Sequence, residues 1–184
     1  MLQKNLKRLV SIFLLAALTL IFTGCGGGVK YFYSKTAKEI AAWKPMEIPP
    51  DNSPLGSVEM GDTAAIIKAD PSGWGGIQSE KMTLDLSKHP MLLIRIRECN
   101  DGFAWAAKFV PSEPKIDEHK WGFYLFEDNG FKYNNYAGVD IRSKLGEDVI
   151  SLYGEKIEGV LWIIAAKSPE AQVEVSEIKM YNQK

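Results

Sequence analysis

A chain of 184 residues with 46% hydrophobic side chains and a formal net charge of −1 has room for one domain with a proper core and little more. Its 22 basic side chains are balanced by 23 acidic ones, so the dense positive charge that nucleic-acid binding requires is missing and no nucleic-acid partner is expected. Two cysteines exclude a scaffold stapled by several disulfides.

The N-terminus carries Lys4, Lys7 and Arg8, an acid-free apolar run from Leu9 to Phe22, and then Thr23, Gly24, Cys25 and three glycines, Gly26, Gly27 and Gly28. A cationic end, a short apolar middle and small residues form the layout of a secretory signal. The run is shorter than the roughly 20 residues that span a bilayer comfortably. A cysteine directly after Thr-Gly resembles the bacterial lipoprotein signal, although Phe22 stands where that family most often has Leu. The resemblance implies a signal peptide over residues 1–24, lipid on Cys25, a membrane as partner and an extracytoplasmic place in the cell envelope. Acyl chains contribute about 0.8 kcal/mol per buried CH₂, so stable anchoring needs more than one chain on that cysteine. An ordinary signal peptide or an uncleaved anchor would also export the remainder of the chain. Without residues 1–24, which hold three bases and no acids, 160 residues with a net charge of −4 remain. Cys99 is then alone and cannot form an intrachain disulfide; it suits a small apolar filler at a strand end.

Residues 25–54 read as a tether. Thr36-x-x-Glu39 fits a helix capping box and predicts a short helix to about Trp43. Pro45 ends it, and Pro49, Pro50 and Pro54 stiffen an extended spacer. The rings of Tyr31, Phe32, Tyr33 and Trp43 suit either a membrane interface or packing on the domain.

From Leu55 short β-rich runs alternate with Gly, Pro, Asp and Asn, and no long helical period appears. Strands are expected at Val58–Met60, Ala64–Ala69, Gly76–Ser79, Met91–Glu98, Phe103–Val110, Trp121–Glu127, Phe131–Tyr136, Asp148–Leu152, Gly159–Ala166 and Ala171–Tyr181. Asn129-Gly130 signals a hairpin. Leu92, Ile94 and Ile96 alternate with Leu93, Arg95 and Arg97, giving one core face and one cationic face. Val160, Trp162 and Ile164 alternate with Leu161, Ile163 and Ala165, as in a central strand apolar on both faces. The last strand changes phase near Ser176-Glu177, which a bulge reconciles. Asp85 and Asp140 each follow an extended segment and suit the cap of a helical turn. Together these features predict an all-β fold of two packed sheets over residues 55–184.

The order Gly73-Trp74-Gly75-Gly76, Leu84-Asp85-Leu86-Ser87-Lys88-His89-Pro90, Leu92–Ile96 and Trp105-Ala106-Ala107-Lys108 resembles the galactose-binding-like jelly-roll modules attached to secreted carbohydrate-active enzymes. Val139–Lys144, Val160–Ile163 and Val175–Met180 resemble the second half of such a module. The resemblance runs from about Val58 to Tyr181 and implies a two-sheet jelly-roll β-sandwich that binds a polysaccharide or oligosaccharide. Such modules often hold a structural Ca²⁺ near the first and last strands, which here implies Glu59, Asp62 and Glu177. The sequence shows no compact Asp-rich loop that would supply the six to eight oxygens calcium takes.

Sugar recognition needs flat apolar surface for the C–H faces of the ring and polar groups for its hydroxyls. Trp74, Trp121 and Tyr124 are the candidate ligand-contacting rings, each open to the alternative of packing. Arg95, Arg97 and Lys108 would form a cationic groove suited to an acidic glycan if their strands share a face. Trp105 and Trp162 keep phase with apolar neighbours and read as core. No G-x-S-x-G, H-E-x-x-H, P-loop or paired-cysteine metal site occurs, so no catalytic residue and no required cofactor is expected. The reading is a lipid-anchored, non-catalytic carbohydrate-binding protein. The rival is a structural or protein-interaction lipoprotein docking on an envelope protein.

Overall fold

The computed structural model describes residues 29–48, 52–100, 103–128 and 135–183. The chain divides into residues 1–30 and a body from Tyr31 onward. Cys25 and the Asn129-Gly130 turn lie outside the described residues. The elements of the body are β1 (Tyr31–Thr36), α1 (Ala37–Ile40), β2 (Lys44–Ile48), β3 (Ser53–Leu55), β4 (Ser57–Met60), β5 (Ala65–Lys68), β6 (Trp74–Gln78), β7 (Met82–Asp85), β8 (Pro90–Cys99), β9 (Ala104–Pro111), β10 (Phe123–Asp128), β11 (Asn135–Asp140), α2 (Ile141–Tyr153), β12 (Lys156–Ala166) and β13 (Gln172–Asn182). Single 3₁₀ turns occupy Leu86–Lys88 and Asp117–Trp121.

Two antiparallel sheets form a jelly-roll β-sandwich. Sheet I runs β11-β8-β13-β5-β4, with β1 beside β13. Sheet II runs β10-β9-β12-β6-β2-β3, with β7 beside β12. Consecutive strands from β8 to β13 fall alternately in sheets I and II, except that β9 and β10 pair with each other. The core between the sheets takes Leu92, Ile94 and Ile96 from β8, Trp105, Ala107 and Phe109 from β9, Leu161, Ile163 and Ala165 from β12, and Val173, Val175, Ile178 and Met180 from β13. The phase change in β13 is absorbed by register shifts on either side of Val175, so both halves of the strand turn their apolar residues inward. Trp105 stacks on Phe126 at 4.8 Å, and each fully buried Leu or Ile contributes about 1.5–3 kcal/mol. Cys99 is buried at the end of β8.

Two expectations are corrected by tertiary structure. Residues 31–48 are no tether: β1 pairs with β13, β2 with β6, and Ile40, Trp43 and Met46 are buried, so the sandwich begins at Tyr31 rather than Leu55. The capping box does form, with the Thr36 N–H and hydroxyl both donating to the Glu39 carboxylate at 2.8 and 2.7 Å, but its helix is one turn long. Asp148–Leu152 lies in α2, where Ile141, Leu145 and Ile150 are the buried residues; Gly146, at φ 80°, breaks this segment into two helical pieces. Asp140 caps it by accepting from the Ser143 N–H at 3.1 Å. On either side of residues 129–134 the described strands join different sheets, β10 pairing with β9 and β11 with β8.

Candidate functional site

Paired residues of neighbouring strands share a face of the sheet, so register maps the outer face of sheet II in rows. The first row is Trp74, Ala166 and Ala104; the second is Gly76, Ile164, Ala106 and Glu127. The third is Lys44, Gln78, Trp162, Lys108 and Tyr124, and the fourth adds Val160 and Val110. Rows are two residues apart, about 7 Å along the strands.

Small residues keep the middle of this face low. Gly76 has no alternative, since a Cβ there would lie 1.9 Å from the Ile163 carbonyl oxygen. Over this floor Met46, Ala106, Val110, Trp162 and Ile164 form a second apolar cluster, with Trp74, Ile48, Leu55 and Val160 packed against it. Trp162 is therefore buried as expected, but under the outer face rather than between the sheets; its indole N–H donates to Gln78 Oε1 at 3.1 Å.

Trp74 and Trp121 meet on this face with ring centroids 6.5 Å apart and planes inclined by 60°. Trp121 keeps 37% of its surface exposed and Tyr124 49%. The Lys108 ammonium lies 4.2 Å from the centre of the Tyr124 ring. Burial pushes the Lys108 pKa below its ordinary value, with Glu127 acting weakly the other way. The structure thus brings together four of the expected residues, Trp74, Lys108, Trp121 and Tyr124.

The turn that carries Trp121 is pinned from behind. Tyr153 on α2 accepts a hydrogen bond from the Lys115 N–H at 2.8 Å, and its hydroxyl is 2.9 Å from His119 Nδ1. His119 and Tyr153 both pack edge-on against Phe123 or tilted against each other, at 4.7 to 5.8 Å. Gly122, at φ 70°, then turns the chain into β10.

Arg95 and Arg97 do not join this group. They sit on β8 in sheet I, facing away from the core, whereas Lys108 lies on the outer face of sheet II; the whole sandwich separates them, and the shared cationic groove does not form. Arg95 lies over the Tyr136 ring at 5.5 Å. The Tyr136 hydroxyl donates to Glu177, which also holds Lys179 at 2.6 Å, and this bond raises the Tyr136 pKa. The residues implied for calcium are likewise apart in role. Glu59 is paired with Lys68 at 2.6 Å, Glu177 with Lys179, and Asp62 lies in the turn before β5. Among the described residues no three His, Cys, Asp or Glu side chains gather in one place.

Gln78, Glu127, Ser112 and Tyr153 belong to this face or its support and were not singled out from sequence. For Gln78 a signal was present, since it keeps phase with Trp74 and Gly76 against core Ile77. Tyr153 gave none, being brought to His119 by the packing of a helix.

No family model matches the sequence, and no curated protein matches it. Among solved structures the chain is similar to the second N-terminal cellulose-binding domain of Cellulomonas fimi β-1,4-glucanase C, at 7% identity over 86% of this chain and 98% of that one, with a TM-score of 0.50. The low affinity xylan binding module CBM86 from Roseburia intestinalis matches at 10% identity over 82% and 95%, with a TM-score of 0.45. The laminarinase from Rhodothermus marinus matches at 10% identity over 84% and 97%, with a TM-score of 0.49. At such identities the likeness is one of fold: the chain has the β-sandwich fold of carbohydrate-binding modules.

Proposed function

We propose that the chain is a non-catalytic carbohydrate-binding protein whose glycan lies on the outer face of sheet II. The observation that carries this reading is the Trp74–Trp121 pair, two indoles 6.5 Å apart over a floor of small residues, with Tyr124 and Lys108 on the same face. Indole and phenol faces cover the C–H faces of a pyranose, and Lys108 and Glu127 offer a donor and an acceptor to its hydroxyls. The fold and the order of motifs that resembles galactose-binding-like modules support the same reading. Binding is non-covalent, by stacking and hydrogen bonds, with no turnover.

The sequence resemblance at Thr23-Gly24-Cys25 supports the second half of the reading: an exported protein held to a membrane by lipid on Cys25, with residues 26–30 as the link to β1. Many tethered copies on one surface raise the effective concentration of a weak single-site binder. Among the described residues no helix is long and apolar enough to cross a membrane.

Affinity electrophoresis of the full chain through gels containing cellulose derivatives, xylan, laminarin or a polyuronate tests the binding. Retardation by one or more neutral polysaccharides, lost in Trp74→Ala, is expected; free migration through all of them would remove the reading. Cys25→Ser should move the protein from the membrane to the soluble fraction without changing retardation, and a variant still membrane-bound after detergent-free washing would refute the anchor.

A further inference from the structure

The third and fourth rows of the sheet II face end in a cavity of about 270 Å³ lined by Glu47, Gln78, Lys81, Ser112 and Asn52 over Val110, Val160 and Trp162. Gln78 is 7% exposed. Its Oε1 accepts from the Trp162 indole N–H and from the Glu47 backbone N–H, both at 3.1 Å. Both partners can only donate, so they fix which end of the amide is oxygen. The amide nitrogen is left with two N–H donors and, among the described residues, no acceptor. The Ser112 hydroxyl is also buried without a hydrogen-bond partner. Buried polar groups are nearly always satisfied, so the unmet Ser112 hydroxyl, beside a Gln78 amide nitrogen that reaches the cavity without a protein acceptor, calls for a polar occupant.

The charge around the cavity identifies the occupant's class. Glu47 is held by Lys44 at 2.7 Å, and Lys81 faces Glu158 at 3.7 Å, so cation and anion on the rim are each matched. Donors (Gln78 Nε2, Lys81), an acceptor (Glu47) and groups that do both (Ser112, Asn52) over an apolar floor suit hydroxyls, which donate and accept together. An isolated carboxylate would find Glu47 opposing it.

We infer that this cavity is an end subsite that holds one neutral pyranose unit of the glycan lying on Trp74 and Trp121, with Gln78 Nε2 and Ser112 Oγ as its hydrogen-bonding partners. The inference rests on the glycan-binding reading above and adds to it direction and selectivity. The cavity lies two to three rows from Trp74, so a chain that stacks on that indole reaches it at one end only, and a uronosyl unit there is disfavoured.

The test is calorimetric titration of the full chain with cello-, xylo- and laminari-hexaose and with an oligouronate. Gln78→Glu keeps an acceptor for Trp162 and Glu47 but removes the donor, and Ser112→Ala removes a hydroxyl that has no partner in the protein. Wild type should bind at least one neutral hexaose more tightly than the oligouronate. Gln78→Glu should weaken that binding about tenfold or more and Ser112→Ala about threefold, the sizes of a lost hydrogen bond. If Gln78→Glu fails to fold, Ser112→Ala decides. Unchanged binding in the folded variants, with Trp121→Ala still weakened, overturns the end subsite and leaves the aromatic platform standing. Tighter binding of the oligouronate overturns the neutral selectivity. No binding by wild type to any probe overturns the platform and the subsite together.

Discussion

Trp121→Ala isolates the stacking part of the proposed binding. The ring is 37% exposed, and a Trp presents up to about 250 Å², which leaves about 90 Å² for a ligand to cover. At about 25 cal/mol per Å² that surface is worth about 2 kcal/mol, or about thirtyfold in Kd. The fold should survive, because Trp121 sits on an exposed 3₁₀ turn and its ring meets Trp74 at 6.5 Å and the Lys120 ammonium at 5.8 Å, both outside the core between the sheets. Tyr136→Ala is the matched control: its ring is 43% exposed, but on sheet I. Titration of both variants with the polysaccharide that retards wild type should show the thirtyfold loss for Trp121 and no change for Tyr136. Wild-type affinity in Trp121→Ala, or an equal loss in Tyr136→Ala, would refute the assignment of binding to the outer face of sheet II.

Tyr153→Phe strips the hydroxyl from the Lys115 N–H and His119 Nδ1; about 1–2 kcal/mol of stability should go, and Trp121-dependent binding should weaken with it, whereas intact affinity would show that the turn is held by other contacts. Gly76→Ala places a methyl 1.9 Å from the Ile163 carbonyl oxygen; a loss of about 3 kcal/mol is expected, read as a fall in Tm of about 6–12 °C, and an unshifted Tm would refute the close approach of β6 and β12. Burial holds the Lys108 pKa below its ordinary 10.5. Between the lowered value and 10.5 the unfolded chain binds more protons than the folded one, so stability rises with pH across that window, while below it the cost of the buried charge is present in full. Urea titrations at neutral and strongly alkaline pH should show this rise in wild type and a smaller one in Lys108→Met; identical slopes would refute the desolvation of Lys108.

Much of the sandwich was legible because strand periodicity is a local property: Leu92-Ile94-Ile96 and Val160-Trp162-Ile164 announce their faces without reference to any other strand. The same periodicity exposed the bulge in β13. Residues 31–48 were misread because their prolines and short runs look like spacer, and only their pairing with β13 and β6 makes them strands. Asp148–Leu152 shows the converse error, a brief apolar run whose helix is decided by what it packs against.

The aromatic candidates came from chemistry alone, since exposed Trp and Tyr among Gly and charged residues are legible as rings without a core role. Which of the cations accompanies them was not. Period-2 alternation says that Arg95 and Lys108 each face away from the core, but a sandwich has two such faces, and the sign of the alternation is the same on both. The assignment of β8 to sheet I and of β9 to sheet II, a matter of long-range hydrogen bonding, put Arg95 and Arg97 behind the molecule and left Lys108 beside Tyr124. By itself the sequence determined the β class, the buried alternations and the aromatic inventory. Tertiary structure alone decided the start of the domain, the partner of Trp74 and the orientation of the Gln78 amide, because each depends on residues tens of positions away in the chain brought within hydrogen-bonding or ring-contact distance.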